Sequence, residues 1–418
     1  MTELFDASQF AARLTDVCIE ELHATHTPLI PQSDTHPELI ETPSKKIIVA
    51  EAIVKMLEQM GVKHAFGVSG GAIARLWHSL EHSSIQVIHC RHESGAGFAA
   101  TEAYFASDRP TIVFTTAGPG ITNALTGLLA ARWEGAKVIL LSGITAAAQH
   151  GRWALQETSG YTMPYADIFT SGKVFDYATT LDCREQLPEI ARRLALGITQ
   201  PGSFVAHVGI STAVQSSSLE NPLAQASLSQ ALATASEETV AECASRLSEA
   251  PKIEGLIRPD VLMNAIQRVI VEKSDAIVMA EGGNSFAWAI NRLRFLQPER
   301  YRISTGFGSM GHFTTGVVGA ALAYSHKAIA IVGDGSMLMN NEVSTAVRYE
   351  IPAVWIVLND ASYNMCDQGV SLLGLEGIDT KIPQTDFAQL ARSMGAEGIR
   401  VERESDIQAA LEKAMNSK

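Results

Sequence analysis

The chain has 418 residues, 46% of them hydrophobic and 18% charged, which is enough for two or three globular domains with sizeable cores. A formal net charge of -13 argues against nucleic acid or an anionic membrane as the main partner. Five cysteines (18, 90, 183, 243 and 366) form no CxxC pair and no His/Cys metal spacing, which suits reduced thiols in the cytoplasm. The acidic start MTELFDASQF does not read as a signal peptide, and no apolar run approaches the ~20 residues of a membrane span.

Residues 1–44 open with Phe10, Leu14, Val17 and Leu22 at helical spacing, an amphipathic helix expected to dock on the body or on a partner subunit. A Pro-rich connector follows over 27–44. Residues 45–211 alternate strands with helices. A helix is expected over 47–61, with strands at 65–68, 85–89, 111–115 and 137–141. The strands run into Ser69-Gly70-Gly71, into Arg91-His92-Glu93 ahead of a helix at 96–106, and into Ala117-Gly118-Pro119-Gly120 ahead of another. That alternation predicts a doubly wound parallel sheet. Residues 212–256, rich in Ser, Ala, Gln and Glu, read as a linker with a helix or two over 228–247. Residues 257–418 form a second α/β unit. A strand at 276–279 ends in Glu281-Gly282-Gly283-Asn284, and Gly306 to Gly311 form a glycine-rich turn.

An apolar run at 328–332 then turns at Gly333-Asp334-Gly335-Ser336. A helical pattern follows, with Leu338, Val343, Ala346 and Val347 on one side, ended by Pro352. The next run, 354–358, ends in Asn359-Asp360. In such a βαβ unit ligands sit at the carboxyl ends of the strands. Asp334 and Asp360 fall there together, and two hard oxygen ligands beside a helix N-terminus suit Mg²⁺ carrying a phosphate ester. The residues alone also allow two solvated acids at an ordinary strand end. They equally allow Glu93 to be no more than a helix cap.

GDGS, a helix, then LND resembles the cofactor motif of thiamine-diphosphate enzymes. RHESGAGFAATEAYFAS resembles the segment that carries their pyrimidine-binding glutamate. FGVSGG, TAGPGITNALTGLLAA and GRWALQET resemble further family segments in the expected order, the last being typical of acetolactate synthases. The resemblance implies a pyrimidine-binding unit over 45–211 and a diphosphate-binding unit over 257–418, with only a linker where larger relatives carry a central domain. No flavin is therefore expected. It implies Mg²⁺ on Asp334, Asp360 and the Ser362 carbonyl. It implies Glu93 hydrogen-bonding the pyrimidine N1′ to promote loss of the thiazolium C2 proton, Gln156 near the thiazolium, and Met310 wedged between the two rings. Ser69, Gly70, Gly71, Gly118 and Pro119 on one side would line the cofactor. Gly283, Asn284, Ser309, Gly333, Gly335, Ser336 and Met365 would do so on the other. Asn364 and Gly369 stand where acetolactate synthases carry Gly and a substrate-facing Trp, and the adjacent His pair of simple 2-oxo acid decarboxylases is not apparent. The implied activity is decarboxylation of a 2-oxo acid followed by carboligation to a second carbonyl. The alternatives are plain decarboxylation to an aldehyde, or a non-catalytic cofactor-binding subunit. The implied assembly is a homodimer or dimer of dimers with the site between subunits.

Overall fold

The computed structural model describes residues 47–163, 165–219, 256–304, 306–372 and 379–417. The expected N-terminal helix, the Pro-rich connector and the helices over 228–247 lie outside these residues. The described residues form one compact unit built mainly on two parallel sheets.

The first sheet belongs to the N-terminal half. Its elements, in chain order, are β1 (Ile47–Ile48), α1 (Val49–Gln59), β2 (His64–Val68), α2 (Ala74–Glu81), β3 (Gln86–His89), α3 (Glu93–Ser107), β4 (Thr111–Thr115) and α4 (Pro119–Glu134). They continue with β5 (Lys137–Ile144), α5 (Tyr165–Phe169), β6 (Tyr177–Leu181), α6 (Leu187–Thr199), β7 (Phe204–Ser211) and β8 (Ser218–Leu219). Six strands run parallel in the order β3-β2-β4-β5-β7-β6. β4 and β7 are buried at every residue, as expected for a sheet covered by helices on both faces. The helix expected over 47–61 gives up its first two residues to β1, which pairs antiparallel with β8, a short strand inside the stretch read as linker.

The C-terminal half contributes α7 (Pro259–Ile266), β9 (Ile277–Ala280), α8 (Asn284–Arg292), β10 (Tyr301–Ile303), α9 (His312–Tyr324) and β11 (Ala328–Gly333). After it come α10 (Asp334–Met337), α11 (Val343–Arg348), β12 (Ala353–Leu358), α12 (Asn364–Leu372), α13 (Phe387–Ser393) and α14 (Ile407–Asn416). The parallel strand order is β10-β9-β11-β12. The single helical face expected from Leu338 to Val347 is not continuous. Residues 338–342 break it into α10 and α11; Val343 and Ala346 are buried, but Leu338 and Val347 are exposed. The break lets Asn340 and Glu342 reach the first half, and a continuous helix would have carried them elsewhere.

Helix α3 joins the halves. It begins at Glu93, three residues earlier than expected, and is buried from Glu93 to Ala103. Small residues fit it between α4 and α9: a Cβ on Gly97 would lie 2.8 Å from Gly127 Cα, and one on Gly319 would collide with the Ala99 carbonyl. A helix apolar on all sides is stable only inside such a sandwich. Near its far end the fully buried Glu102 takes two hydrogen bonds from Arg302 (3.0 and 3.1 Å) and one from His312 (2.9 Å). Burial alone would raise the Glu102 carboxyl; Arg302 and His312 outweigh it and hold it at about 2.

Candidate active site

Both sheets reverse winding direction beside the predicted loops. In the first, β3 lies on one side of β2 and β4 on the other, so the switch falls between β2 and β4. The loops leaving those strands are Ser69-Gly70-Gly71 and Thr116-Ala117-Gly118-Pro119. They touch: a Cβ on Gly70 would come 2.5 Å from the Thr116 side chain. In the second, β10 and β11 flank β9, and the loops leaving β9 and β11 hold Gly283-Asn284 and Gly333–Ser336. A switch point opens a crevice at the strands' carboxyl ends, which is where ligands bind in such sheets.

Glu93 occupies the first turn of α3, 8% exposed. The cap of that helix is His92, whose ring nitrogen accepts from the Ser94 N–H at 3.2 Å. Glu93 is therefore free of capping duty, and its Oε2 accepts from Asn123 Nδ2 at 3.1 Å. Gly120 lies beside the other oxygen: a Cβ there would come 3.5 Å from Glu93 Oε1 and 3.1 Å from the Thr116 side chain. Asn123 falls one turn inside α4, on the face that begins with Pro119 and Gly120. That helical spacing could have picked it out within TAGPGITN. Gln156, at φ 55°, lies over the same loop: its Oε1 accepts from Thr116 Oγ1 at 3.1 Å, and a Cβ on Gly118 would meet it at 3.2 Å. Thr158 Oγ1 accepts from the Gly118 N–H at 3.0 Å, fixing Gly118 at φ 60°, and Pro119 follows at the first turn of α4. Ser69 lines a separate open cleft with Trp77, His89, Arg91 and Arg348, while Gly71 has open space before it. His89 is engaged with Glu81 at 2.7 Å, and Arg75 and Arg152 are exposed.

In the second half Asp334 is 3% exposed. Its Oδ1 accepts from the Gly335 N–H (2.7 Å), and its Oδ2 accepts from the N–H groups of Asp360 (3.2 Å) and Ala361 (2.6 Å). The expected neighbouring strand ends, β11 and β12, are thereby bolted together. Burial raises the Asp334 carboxyl above its usual range, and the charge of Asp360 adds to this against the N–H donors. Asp360 is exposed and accepts from Asn364 Nδ2 at 2.6 Å, while Ser362 is pinned by the Thr380 carbonyl at 3.3 Å. Gly335 is bare backbone under Tyr363 and Met310: a Cβ there would fall 2.7 Å from the Tyr363 ring and 3.2 Å from Met310 Cε. Met310 follows Ser309 and precedes Gly311 (φ 90°), with 39% of its surface open. Met365 is likewise exposed, and Ser336 is buried. Gly283, at φ 106°, sets the start of α8, so Asn284 presents that helix's N-terminal N–H groups at the switch point.

Among the buried carboxylates that the sequence assigned no role, two lie beside the predicted site residues. Glu281 accepts from the N–H groups of Phe313 (2.9 Å) and Thr314 (3.1 Å), anchoring α9 just behind Met310. Burial pushes its carboxyl up. Glu342 reaches the turn before Glu93. No hydrogen bond joins Glu93 to Met310, Asp334 or Asp360 among the described residues. The predicted site residues fall into two groups, one carried by each half.

Residues 47–163 match the model of the thiamine pyrophosphate enzyme N-terminal TPP binding domain, and residues 281–418 that of the C-terminal TPP binding domain. The chain belongs to the thiamine pyrophosphate enzyme family. Within that family it is similar to the acetolactate synthase large subunit of Haemophilus influenzae, at 22% identity across 90% of this chain and 93% of that one. It is also similar to the sulfoacetaldehyde acetyltransferase of Castellaniella defragrans, at 29% identity over 41% of this chain and 29% of that protein. In fold it resembles the thiamine diphosphate-dependent 4-hydroxybenzoylformate decarboxylase of Rhodococcus jostii RHA1, with a TM-score of 0.76 and 13% identity over 89% of this chain and 97% of that one.

The residues fit the cofactor of this thiamine pyrophosphate enzyme family. Paired acids with glycine-lined backbone beside them suit a diphosphate carried on a divalent ion. Among the described residues no group of three or more His, Cys, Asp or Glu is placed to hold a metal. Asp334 and Asp360 are the side chains that would offer carboxylate oxygens to such an ion, with carbonyl, water and phosphate oxygens as its other donors.

Proposed function

We propose that the protein is a thiamine diphosphate- and Mg²⁺-dependent enzyme that decarboxylates a 2-oxo acid and transfers the acyl unit to a second carbonyl. The observation that carries this reading is Glu93. It is a carboxylate relieved of capping by His92, shielded from water, aimed by Asn123, and set on the helix that binds the two halves together. When bound, thiamine diphosphate supplies an electron sink for the developing carbanion. Asp334, Asp360 and the Ser362 carbonyl would hold the metal. Gly283, Asn284, Gly335 and Ser336 would offer N–H groups and close approach to the diphosphate. Glu93 would share a proton with the pyrimidine N1′, and Met310 would support the bent arrangement of the two rings. Carboligation rests on the segments similar to acetolactate synthases and on relatives named as acetolactate synthase and acetyltransferase.

Gly369, standing where a substrate-facing Trp is expected by resemblance, favours a second reading in which the product is released as an aldehyde. Hydrogen–deuterium exchange at C2 of bound thiamine diphosphate, by rapid quench and NMR, tests the reading without knowledge of the substrate. Fast exchange supports it, and exchange no faster than for free cofactor refutes it. Mass detection of hydroxy ketone against aldehyde from a panel of 2-oxo acids separates the two reactions.

The site is proposed to close between two copies of the chain. Exposed Met310, Met365 and Leu372 on one half, and Trp153 and Leu155 on the other, supply apolar surface for that contact. Light scattering that returns only the monomer mass at active concentrations would rule this out. The proposed setting is the cytosol, where Cys90, Cys183 and Cys366 stay as free thiols. Among the described residues no helix is long and apolar enough to cross a membrane.

A further inference from the structure

We infer that Glu342 is a positioning residue for Glu93, holding the backbone turn that carries it; the inference rests on the function proposed above. Glu342 belongs to the segment that follows the Asp334 turn, in the other half of the molecule, and is 1% exposed. Its carboxylate grips the peptide N–H of Arg91 with both oxygens, at 2.9 and 3.0 Å, and takes the His92 N–H at 3.3 Å. The Thr345 hydroxyl donates to the same carboxylate from below.

Neighbouring residues extend the grip. Asn340 Nδ2 donates to Ser94 Oγ at 2.6 Å, and Arg91 Nε donates to Ser344 Oγ at 3.0 Å. Every residue from 91 to 94 except Glu93 is thus bonded to 340–344, and Glu93 alone is left facing Asn123.

A carboxylate buried this completely is costly unless donors surround it. Here the donors are two backbone N–H groups and a hydroxyl, not a basic side chain, so the carboxylate oxygens act as acceptors that fix main-chain geometry. Gly95 preserves the fit: a Cβ there would come 2.9 Å from Glu342 Oε1. A reacting group displaced by ~1 Å loses about 10²-fold in rate, so a turn held at this many points controls the chemistry of the side chain it carries. The break between α10 and α11 has the same explanation, since it places Asn340 and Glu342 against this turn.

The test compares Glu342→Ala, Glu342→Gln and Asn340→Ala in the full chain. In the cofactor-free protein, amide hydrogen exchange at Arg91 and His92 should accelerate by about 10-fold or more in Glu342→Ala. Glu342→Gln keeps one acceptor oxygen and should recover most of the protection. At saturating Mg²⁺ and thiamine diphosphate, C2 exchange should fall on the order of 10- to 100-fold in Glu342→Ala, with cofactor affinity within about 3-fold of wild type. It should fall less in Asn340→Ala, which stands in if Glu342→Ala does not fold. Unchanged amide and C2 exchange would overturn the proposal. So would a Glu342→Gln variant as impaired as Glu342→Ala, because the carboxylate's charge rather than its grip would then be at work. A wild type with no C2 exchange would sink the proposed function and this role together. Brisk wild-type exchange with indifferent variants would sink this role alone.

Discussion

The two halves solve the same problem with different degrees of closure. Each winds a parallel sheet outward from a switch point and places two glycine-bearing loops there. In the first half the candidate carboxylate is finished within the fold: Glu93 is 8% exposed, with its helix cap, its partner Asn123 and its turn all fixed. In the second half Asp334 is equally buried, but the surfaces around it are open. Met310 is 39% exposed, Tyr363 40% and Met365 45%, and β12 is only partly buried along its length. A general acid–base group must be dry and pre-aimed before the cofactor arrives. Under the proposed function, a cradle for a diphosphate must stay accessible so that the cofactor can enter.

Breaking the finished half should give the largest effect. Glu93→Gln is expected to slow C2 exchange of bound cofactor by about 10²- to 10⁴-fold while leaving the cofactor bound, which rapid-quench NMR and calorimetry can check together. The open half should fail differently. Asp334→Ala should weaken Mg²⁺–thiamine diphosphate binding by about 100-fold or more by titration calorimetry, and chelation of the wild type should reproduce the loss. If Asp334→Ala instead bound normally and merely turned over slowly, the division of labour between the halves would be wrong. Met310→Ala should cost on the order of 10-fold in turnover with little change in affinity if, as proposed, the side chain orients the cofactor.

The smallest effect concerns stability. His207 is fully buried in the first sheet between Phe169 and Phe175, and burial holds it at about 4. Its folded value lies below the ~6.5 of an exposed histidine, so the unfolded chain binds the extra proton. Thermal stability should therefore decline as pH falls from about 6.5 to about 4. Glu102, held at about 2, should extend the decline below pH 4.5, since its contribution is present above its unfolded value and lost as the folded one is approached. Substituting Gln for His207 should flatten the upper part of that melting curve; a slope left intact there would assign it to another group.

The sheets were legible because parallel strands buried on both faces must be short apolar runs, and those runs stand out between glycine turns. The placement of Asp334, Asp360 and Glu93 at the carboxyl ends of strands was legible because each comes within a few residues of such a run. Glu342 and Glu281 were not. Each lies in a segment whose local pattern says only that a helix is near, and each finds its partners far along the chain, at residues 91–92 and 313–314. The single helical face expected from Leu338 to Val347 failed for the same reason. Periodicity cannot register a contact with α3 that breaks the helix.

By itself the sequence determined the fold class, the two glycine-lined crevices and the residues that follow each strand. These depend on burial and backbone freedom, which neighbouring residues encode. Only the tertiary structure decided that His92 and not Glu93 caps α3, that Asn123 aims the carboxylate, and that Glu342 holds its turn. The cap is a local pair, His92 with Ser94, but local pattern did not choose between it and Glu93; the Asn123 and Glu342 partners lie 30 and 251 residues away from the groups they hold, so no local stretch contains both members of those pairs.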